Sequence, residues 1–362
     1  MVLYRPFNVL YGLKMYNNQH SAQNRAKSLV ETRKSQTRVL PSKTNGQSSL
    51  IKQPAPSSHE LLEKTVEKMD GAYADSTIRA YKDDFGAFIK YCEENDLISL
   101  PADPQAICSY IRQLVSEGRT SASIRRLMSG ITTIHKLNRY PDPTKDPDVL
   151  LEMRRMHRKI GRCSKQAFGI TSKILDKLIE ATEAGNRGAR DRALLLIAYD
   201  TLCRRSELAA LLIEDIQFIE NSNRIKASIL IRRSKTDQFG QGRRLYLSER
   251  ATLCLKEWLD RRENPKSGQL FMGINRAQKI TNSFTPAQIN RIYKRLATRA
   301  GLSKELIDGI SGHSLRVGHA QDMFNRGESL PMIMSKGRWS KTDTVMRYVE
   351  NITYTNQFYV VI

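Results

Sequence analysis

The sequence is short of cysteine, of long apolar runs and of the common nucleotide and metal motifs. Its five cysteines include no CxxC pair, which favours reduced thiols in an intracellular protein over disulfides or a zinc site. The longest apolar run, near 193–198, is far shorter than the roughly 20 residues that span a bilayer. There is no GxxxxGK[ST] loop, no HExxH helix and no carboxylate cluster that suggests paired magnesium ions. We therefore expect neither a cofactor nor a metal.

Acidic residues are nearly absent from the first 57 positions, where Glu31 is the only one. Basic residues are scattered there among serine, glutamine, asparagine and proline. This composition cannot bury a core, so it predicts a disordered basic tail over residues 1–57 that adds nonspecific affinity for DNA. An over-extended start codon and an organelle transit peptide are alternative interpretations.

The whole chain is strongly basic, with a formal net charge of +22 and a pI of about 9.9. Such a surface attracts polyanions, of which nucleic acid is the commonest and an anionic membrane the main competitor. A length of 362 residues allows two packed domains besides the tail.

Apolar residues over 58–162 recur at three- and four-residue steps, as they do in amphipathic helices. Separate helical segments follow Asp75–Ser76, Asp103 and Ser121, a fourth begins at Pro147, and no alternating strand pattern interrupts them. We predict a helical DNA-binding domain of four or five helices over 58–162.

Basic side chains crowd the third and fourth of these segments. An ordinary solvated face is the simpler explanation, but it usually mixes signs, because like charges at helical spacing repel one another. We therefore assign DNA contact to a set of mostly basic residues: Arg119, Ser121, Arg125, Arg126, Arg139, Arg154, Arg155, Arg158, Lys159, Arg243 and Arg244.

The residues 163–169 lack periodicity and are predicted to link this domain to a catalytic domain over 170–362. A helix is expected after Thr171, an apolar helix over Asp191–Tyr199 and a short helix over Glu207–Leu212. The apolar period then becomes two over 216–231, which predicts an antiparallel hairpin, and a further strand is expected over Arg244–Leu247. Helices resume after that and run to the end.

The residue types that suit phosphoryl chemistry occur in a fixed order in this second domain. They are Arg204 and Glu207 in DTLCRRSEL, Lys235 in RRSKTD, His313 and Arg316 in HSLR, Trp339 in GRWS, and Tyr348 in VMRYVEN. Taken singly, most have a simpler structural explanation, such as a helix cap, a turn lysine or a core aromatic. Chance is a poor explanation for the occurrence of all seven in this order.

This ordered set, with its flanking stretches LIAYDTLCRRSEL and SGHSLRVGHAQDM, resembles the tyrosine site-specific recombinases of the lambda-integrase family, and within it the Cre-like members. The resemblance spans roughly residues 60–350. It implies a mainly α fold: a SAM-like core-binding domain and a mostly helical catalytic domain with a small antiparallel sheet. It also implies a homotetramer on double-stranded DNA with inverted-repeat sites, which exchanges strands through a Holliday junction.

Attack on a phosphodiester builds negative charge on its nonbridging oxygens, and two guanidiniums can hold such oxygens with paired donors. Arg204 and Arg316 suit that role. The nucleophile would be Tyr348, with Tyr354 and Tyr359 as rivals outside the motif. A free tyrosine has a pKa near 10, so its ionisation at pH 7 costs about 4 kcal/mol that the site must offset.

Two residues are candidates for moving protons. Neutral imidazole works near pH 7, which makes His313 the best candidate base, and Lys235 at a turn tip could protonate the leaving 5′ oxygen. By resemblance, Trp339 donates its indole N–H to the phosphate and Glu207 steadies the site through Arg204 or His313.

Three points remain open on the sequence alone. A type IB topoisomerase uses the same residue set, and a DNA-binding protein without catalysis is a further alternative. The segment LIDGISG before His313 is acidic where Cre-like proteins often carry basic residues, so local DNA contacts there can differ. The apolar end Phe358–Ile362 is predicted to pack into a neighbouring subunit, or else to fold back on its own domain.

Overall fold

A computed structural model describes residues 56–162, 166–221, 224–232, 241–282 and 284–358. The chain divides into the units Met1–Ser57 and Ser58–Ile362. The predicted basic tail therefore lies almost wholly outside the described residues, as do Lys235 and the last four residues of the chain. Among the described residues, no helix is long and apolar enough to cross a membrane.

Five α-helices and one 3₁₀ turn occupy the first part of the second unit. The helices are α1 (Ser58–Met69), α2 (Asp75–Glu94), α3 (Pro104–Ser116), α4 (Ser121–Leu137) and α5 (Pro147–Ile160). Side chains of Asp103, Thr120 and Asp146 accept backbone N–H bonds at the starts of α3, α4 and α5, which is the usual capping arrangement. The predicted helical periodicity is confirmed in this segment.

One hydrophobic cluster holds α1 to α5 together, with Phe85, Phe88, Ile107, Ile111 and Ile131 fully buried in it. The residues that recur along the sequence at helical spacing are the ones that meet here. His135 is buried beside Phe85, and its Nε2 accepts a hydrogen bond from the backbone N–H of Ala102.

The rest of the chain is also mainly helical. Its helices are α6 (Ser172–Glu180), α7 (Gly185–Thr201), α8 (Arg205–Ala209), α9 (Glu249–Asp260), α10 (Pro286–Arg299), α11 (Lys304–Gly309), α12 (Ser314–Asn325), α13 (Leu330–Gly337) and α14 (Thr342–Phe358). A larger hydrophobic cluster, with Trp258 and Tyr293 at its centre, packs α6 to α10 against the sheet.

The predicted antiparallel sheet is present. Strands β1 (Ile216–Asn221), β2 (Arg224–Ile231) and β3 (Arg243–Tyr246) lie in the order β1-β2-β3. A second pair, β4 (Gly273–Ile274) and β5 (Ile280–Thr281), was not expected. These strands have two residues each, which is too short to produce an alternating pattern in the sequence.

Two predicted helix bounds were wrong. The helix expected over Asp191–Tyr199 begins at Gly185, because its first turns are polar and carry no apolar signal. The helix expected over Glu207–Leu212 instead spans Arg205–Ala209. Its earlier start has a local cause, since the side chain of Glu207 accepts the backbone N–H of Arg204 and closes the first turn.

Candidate active site

Arg204 is positioned by the sharp turn between α7 and α8. Leu202 ends α7 in the left-handed conformation with φ 49°, and Arg204 is the N-cap residue of α8. Arg204 Nη1 donates to Glu207 Oε1 at 2.6 Å, while the Arg204 backbone N–H donates to Oε2 at 3.0 Å. The Glu207 side chain is only 4% exposed, so its carboxylate acts as a fixed, desolvated clamp on this arginine.

Arg316 lies in the first turn of α12 and is buried. Its Nη1 donates to the carbonyl oxygen of Leu202 at 2.5 Å, and its Nη2 donates to that of Gly337. The Trp339 ring covers the guanidinium, with Cζ 4.3 Å from the ring centroid, which is within the range of a cation–π contact. One arginine thus connects the turn after α7 with the end of α13.

The charge on Arg316 is poorly compensated. Burial, followed by the positive charges of Arg204 and Arg338, lowers the pKa of Arg316 to about 10, and the carboxylate of Glu207 opposes this only in part. The charged form of such an arginine, which burial and like charges disfavour, is strongly stabilised when an anion binds beside it. The arrangement therefore suits a phosphate.

His313 is the N-cap residue of α12, three positions before Arg316. His313 is partly accessible to solvent. Desolvation by the surrounding protein, then the positive charges of Arg316, Arg205 and Arg204, lowers the pKa of His313 below its ordinary value. The imidazole is accordingly neutral at physiological pH, and its ring nitrogen is able to accept a proton.

Tyr348 lies on α14 against Trp339, with the two ring centroids 5.7 Å apart in an edge-to-face arrangement. The Tyr348 carbonyl oxygen accepts a hydrogen bond from Gln321 Nε2 at 3.0 Å. The small cluster of Ala320, Met323, Ile333 and Val345 packs α12, α13 and α14 together beneath these two rings. Trp339 therefore contacts both the ring of Tyr348 and the guanidinium of the buried Arg316.

Gly337 allows this stacking. A Cβ atom at that position would lie 1.9 Å from Cζ3 of Trp339, which is far inside any van der Waals contact. The absence of a side chain lets the indole lie on the backbone whose carbonyl binds Arg316.

The structure brings together six of the seven predicted active-site residues, namely Arg204, Glu207, His313, Arg316, Trp339 and Tyr348. The seventh, Lys235, falls in 233–240 between β2 and β3, outside the described residues. Within the described part of the chain, no group of three or more His, Cys, Asp or Glu side chains is placed to hold a metal ion. The expectation that none is required stays a prediction.

Sequence reasoning missed Arg338, which lies beside these residues. Its Nη2 donates to Glu207 Oε2 at 2.6 Å, so the carboxylate is shared between two arginines. Nothing in the sequence indicated this contact, because it joins residues 131 positions apart.

The predicted DNA-contact residues are exposed, with one exception. Ser121 is buried, and its hydroxyl lies 3.1 Å from His157 Nδ1. Three of the arginines have acidic partners within the chain. Arg126 makes two bonds to Asp84 at 2.7 and 2.8 Å, Arg155 bonds Glu152 at 3.0 Å, and Arg119 lies 3.8 Å from Glu117. Repulsion between like charges is therefore a weaker reason to expect DNA contact at these three.

The other exposed members include two on strand β3. Arg243 bonds the Ser335 hydroxyl and Arg244 bonds the Ser228 hydroxyl, at 3.0 and 3.1 Å. The remaining exposed residues of the set are Arg125, Arg139, Arg154, Arg158 and Lys159. Their role in DNA contact stays a prediction.

Comparisons with known proteins point to one family. The sequence profile of the phage integrase family matches residues 169–353, slightly more than half of the 362 residues. The chain belongs to the phage integrase family. The profile of the phage integrase N-terminal SAM-like domain matches residues 68–138.

Relatives of this family member are named recombinases. An integrase/recombinase XerD homolog from Selenomonas ruminantium is 29% identical over 313 residues, 83% of this chain and 89% of that protein. Recombinase Cre of Escherichia phage P1 is 28% identical over 277 residues, 72% of this chain and 80% of that protein. The expectation of a tyrosine recombinase enzyme is confirmed at the level of the family.

The fold is shared with solved members. The XerH site-specific recombinase bound to palindromic difH substrate in a post-cleavage complex aligns with a TM-score of 0.59 at 20% identity, over 81% of each chain. The expected fold, a helical SAM-like domain followed by a mostly helical catalytic domain with small antiparallel sheets, is confirmed.

Proposed function

We propose that this phage integrase family member is a site-specific DNA recombinase that cleaves and rejoins strands through a covalent 3′-phosphotyrosine intermediate. One observation carries the proposal: a buried arginine, Arg316, is covered by Trp339, whose edge-to-face partner is Tyr348. Arg204 is held nearby by Glu207, on the turn to which Arg316 is bonded. Nucleophile and phosphate-binding groups thus share one site.

The two arginines stabilise the charge that develops on the nonbridging phosphate oxygens. Glu207 accepts a hydrogen bond from Nη1 of Arg204, which leaves Nη2 and Nε of Arg204 to donate to the phosphate. Arg316 contributes a cation whose burial and like-charged neighbours make it responsive to an anion. The indole N–H of Trp339 is assigned to the same phosphate.

The reaction is a balanced transesterification. The Tyr348 oxygen attacks phosphorus as its proton passes to His313, the bond from phosphorus to the 5′ oxygen breaks, and Lys235 protonates that oxygen. One phosphoester replaces another, so bond energy is conserved and no ATP is consumed. In rejoining, a 5′ hydroxyl attacks the phosphotyrosine and the same groups act in reverse.

DNA binding is assigned to both parts of the chain. Residues 58–162 form the proposed core-binding domain, 163–169 the linker and 170–362 the catalytic domain. Phosphate contacts by the exposed basic residues supply most of the affinity, so binding falls steeply with salt. Two dimers on two inverted-repeat sites would form the active homotetramer. Strands would be exchanged in pairs through a Holliday junction.

A covalent-capture experiment tests the proposal and selects the target sequence at the same time. The protein is mixed with a pool of duplexes that have random inverted-repeat arms around a short nicked spacer. Cleavage near the nick releases a short fragment, so the phosphotyrosine cannot be religated and accumulates. Adducts that survive SDS are recovered and their DNA is sequenced.

The matched control is Tyr348→Phe, which removes one oxygen and keeps the ring. Wild-type protein should give adducts on a single repeat sequence, and the phenylalanine variant should bind that sequence equally well and give none. Undiminished adducts with Tyr348→Phe would refute the proposal. On a supercoiled plasmid carrying two selected sites, deletion of the intervening DNA is expected, whereas relaxation alone would favour a type IB topoisomerase.

A further inference from the structure

Arg338 is a buried arginine at the centre of the site. Its side chain is 7% exposed, and it donates from Nη2 to Glu207 Oε2 at 2.6 Å and from Nη1 to the carbonyl oxygen of Thr201 at 3.3 Å. Burying an arginine is costly unless its charge is paired. Glu207 provides that pairing, although this carboxylate already binds Arg204.

Arg338 and Arg316 both connect the turn between α7 and α8 with the end of α13. Arg316 bonds the carbonyls of Leu202 and Gly337, and Arg338, the next residue after Gly337, bonds Thr201 and Glu207. The turn that presents Arg204 is therefore tied twice to the segment that presents Trp339. Because that segment leads into α14, the position of the nucleophile depends on both ties.

The backbone at Arg338 is unfavourable for its side chain. Arg338 ends α13 in the left-handed conformation with φ 55° and ψ 47°, where glycine is the usual residue. Its Nε is buried, and no hydrogen-bond partner for it is present in the described part of the chain. A strained backbone with a buried cation is maintained only where surrounding contacts hold it, and such sites are often functional.

We propose that Arg338 is a positioning residue for DNA cleavage. Because Arg338 donates to Glu207 Oε2, this carboxylate oxygen does not bind a second nitrogen of the Arg204 guanidinium. Arg338 also fixes the positions of Trp339 and Tyr348 relative to Arg204 and Arg316. Without it, Glu207 Oε2 loses its side-chain partner. The second nitrogen of Arg204 then turns to the carboxylate and away from the phosphate.

The decisive variant is Arg338→Gly. Glycine adopts this left-handed conformation without steric cost, so the turn is preserved while the guanidinium is lost. With nicked duplex in single-turnover reactions, the cleavage rate constant at saturating protein should fall by about 10- to 100-fold, because misplaced reacting groups cost rate and not affinity. The half-saturating protein concentration should change by less than about twofold.

Two further variants separate positioning from general structure. Arg338→Lys keeps the charge and should recover part of the lost rate, whereas Arg338→Met should match the glycine variant. In a Glu207→Gln background the effect of Arg338→Gly should shrink to less than about threefold, because the two residues act through one contact. The matched control is Arg250→Met, which breaks an exposed pair with Asp176 and should leave the rate unchanged.

The inference is overturned if Arg338→Gly cleaves at the wild-type rate, if lysine recovers nothing, or if the loss is equally large with Glu207→Gln. It rests on the proposed cleavage reaction, but the two fail differently. Wild-type protein that forms no adduct defeats the proposed function. Wild-type cleavage with an equally active Arg338→Gly variant defeats only the role of Arg338.

Discussion

Replacing Arg316 with methionine should separate the stability of the protein from its activity. The fall in the pKa of Arg316 from 12.5 to about 10 means that its charge is disfavoured by about 3 kcal/mol in the fold, and methionine removes that penalty. The substitution also leaves the carbonyls of Leu202 and Gly337 without their donors. Each lost bond costs about 1–3 kcal/mol.

These opposing contributions nearly cancel. Arg316→Met should therefore lie between about 1 kcal/mol more stable and about 3 kcal/mol less stable than wild type, measured by urea unfolding of the DNA-free protein. Its covalent cleavage rate should fall at least about 100- to 1000-fold, because a preorganised donor to the phosphate is lost. A variant that keeps a tenth of the wild-type rate would contradict the assignment of Arg316 to the phosphate. A stability loss above about 5 kcal/mol would contradict the opposing contributions of charge burial and lost hydrogen bonds.

Three further outcomes follow from individual contacts. Gly337→Ala should displace the Trp339 ring, since the new Cβ would lie 1.9 Å from it. The substitution should lower stability by about 1–3 kcal/mol and should also lower the rate of DNA cleavage. An unchanged cleavage rate would contradict the stacking of Trp339 on Gly337. Burial lowers the pKa of His319 to about 3, so the unfolded chain takes up a proton below about pH 6.5 that the fold excludes. Stability should drop by about 1 kcal/mol over the first pH unit below that value, and the slope should then approach about 1.4 kcal/mol per pH unit. His319→Phe should flatten that slope in urea melts. For His313, whose pKa is lowered by burial and by Arg316, an NMR titration of the DNA-free protein should give a midpoint below about 6.5, and a higher midpoint would argue against a neutral base.

The sequence predicted the parts of this site that depend on local spacing. Arg204 and His313 are the N-cap residues of α8 and α12, and Glu207 and Arg316 follow them by three positions, so the fold needs only one helical turn to bring each pair together. The hairpin of β1 and β2 was likewise visible, because side chains that alternate along a half-buried sheet leave a period of two.

The contacts that complete the site could not be predicted in this way. Arg316 bonds the carbonyl of Gly337, and Arg338 bonds Glu207 across 131 positions of the chain. The second contact starts from the left-handed end of α13, and an arginine there carries no sequence signal for that conformation. The strands β4 and β5 were missed because two-residue strands have no measurable period.

In the proposed reaction one particular tyrosine carries the DNA. Trypsin releases residues 348–362 as a single peptide, because no lysine or arginine follows Arg347. That peptide contains Tyr348, Tyr354 and Tyr359, so fragmentation mass spectrometry of the captured adduct can distinguish them. We expect the nucleotide 3′-phosphate on Tyr348. Finding it on Tyr354 or Tyr359 would contradict the assignment of the nucleophile.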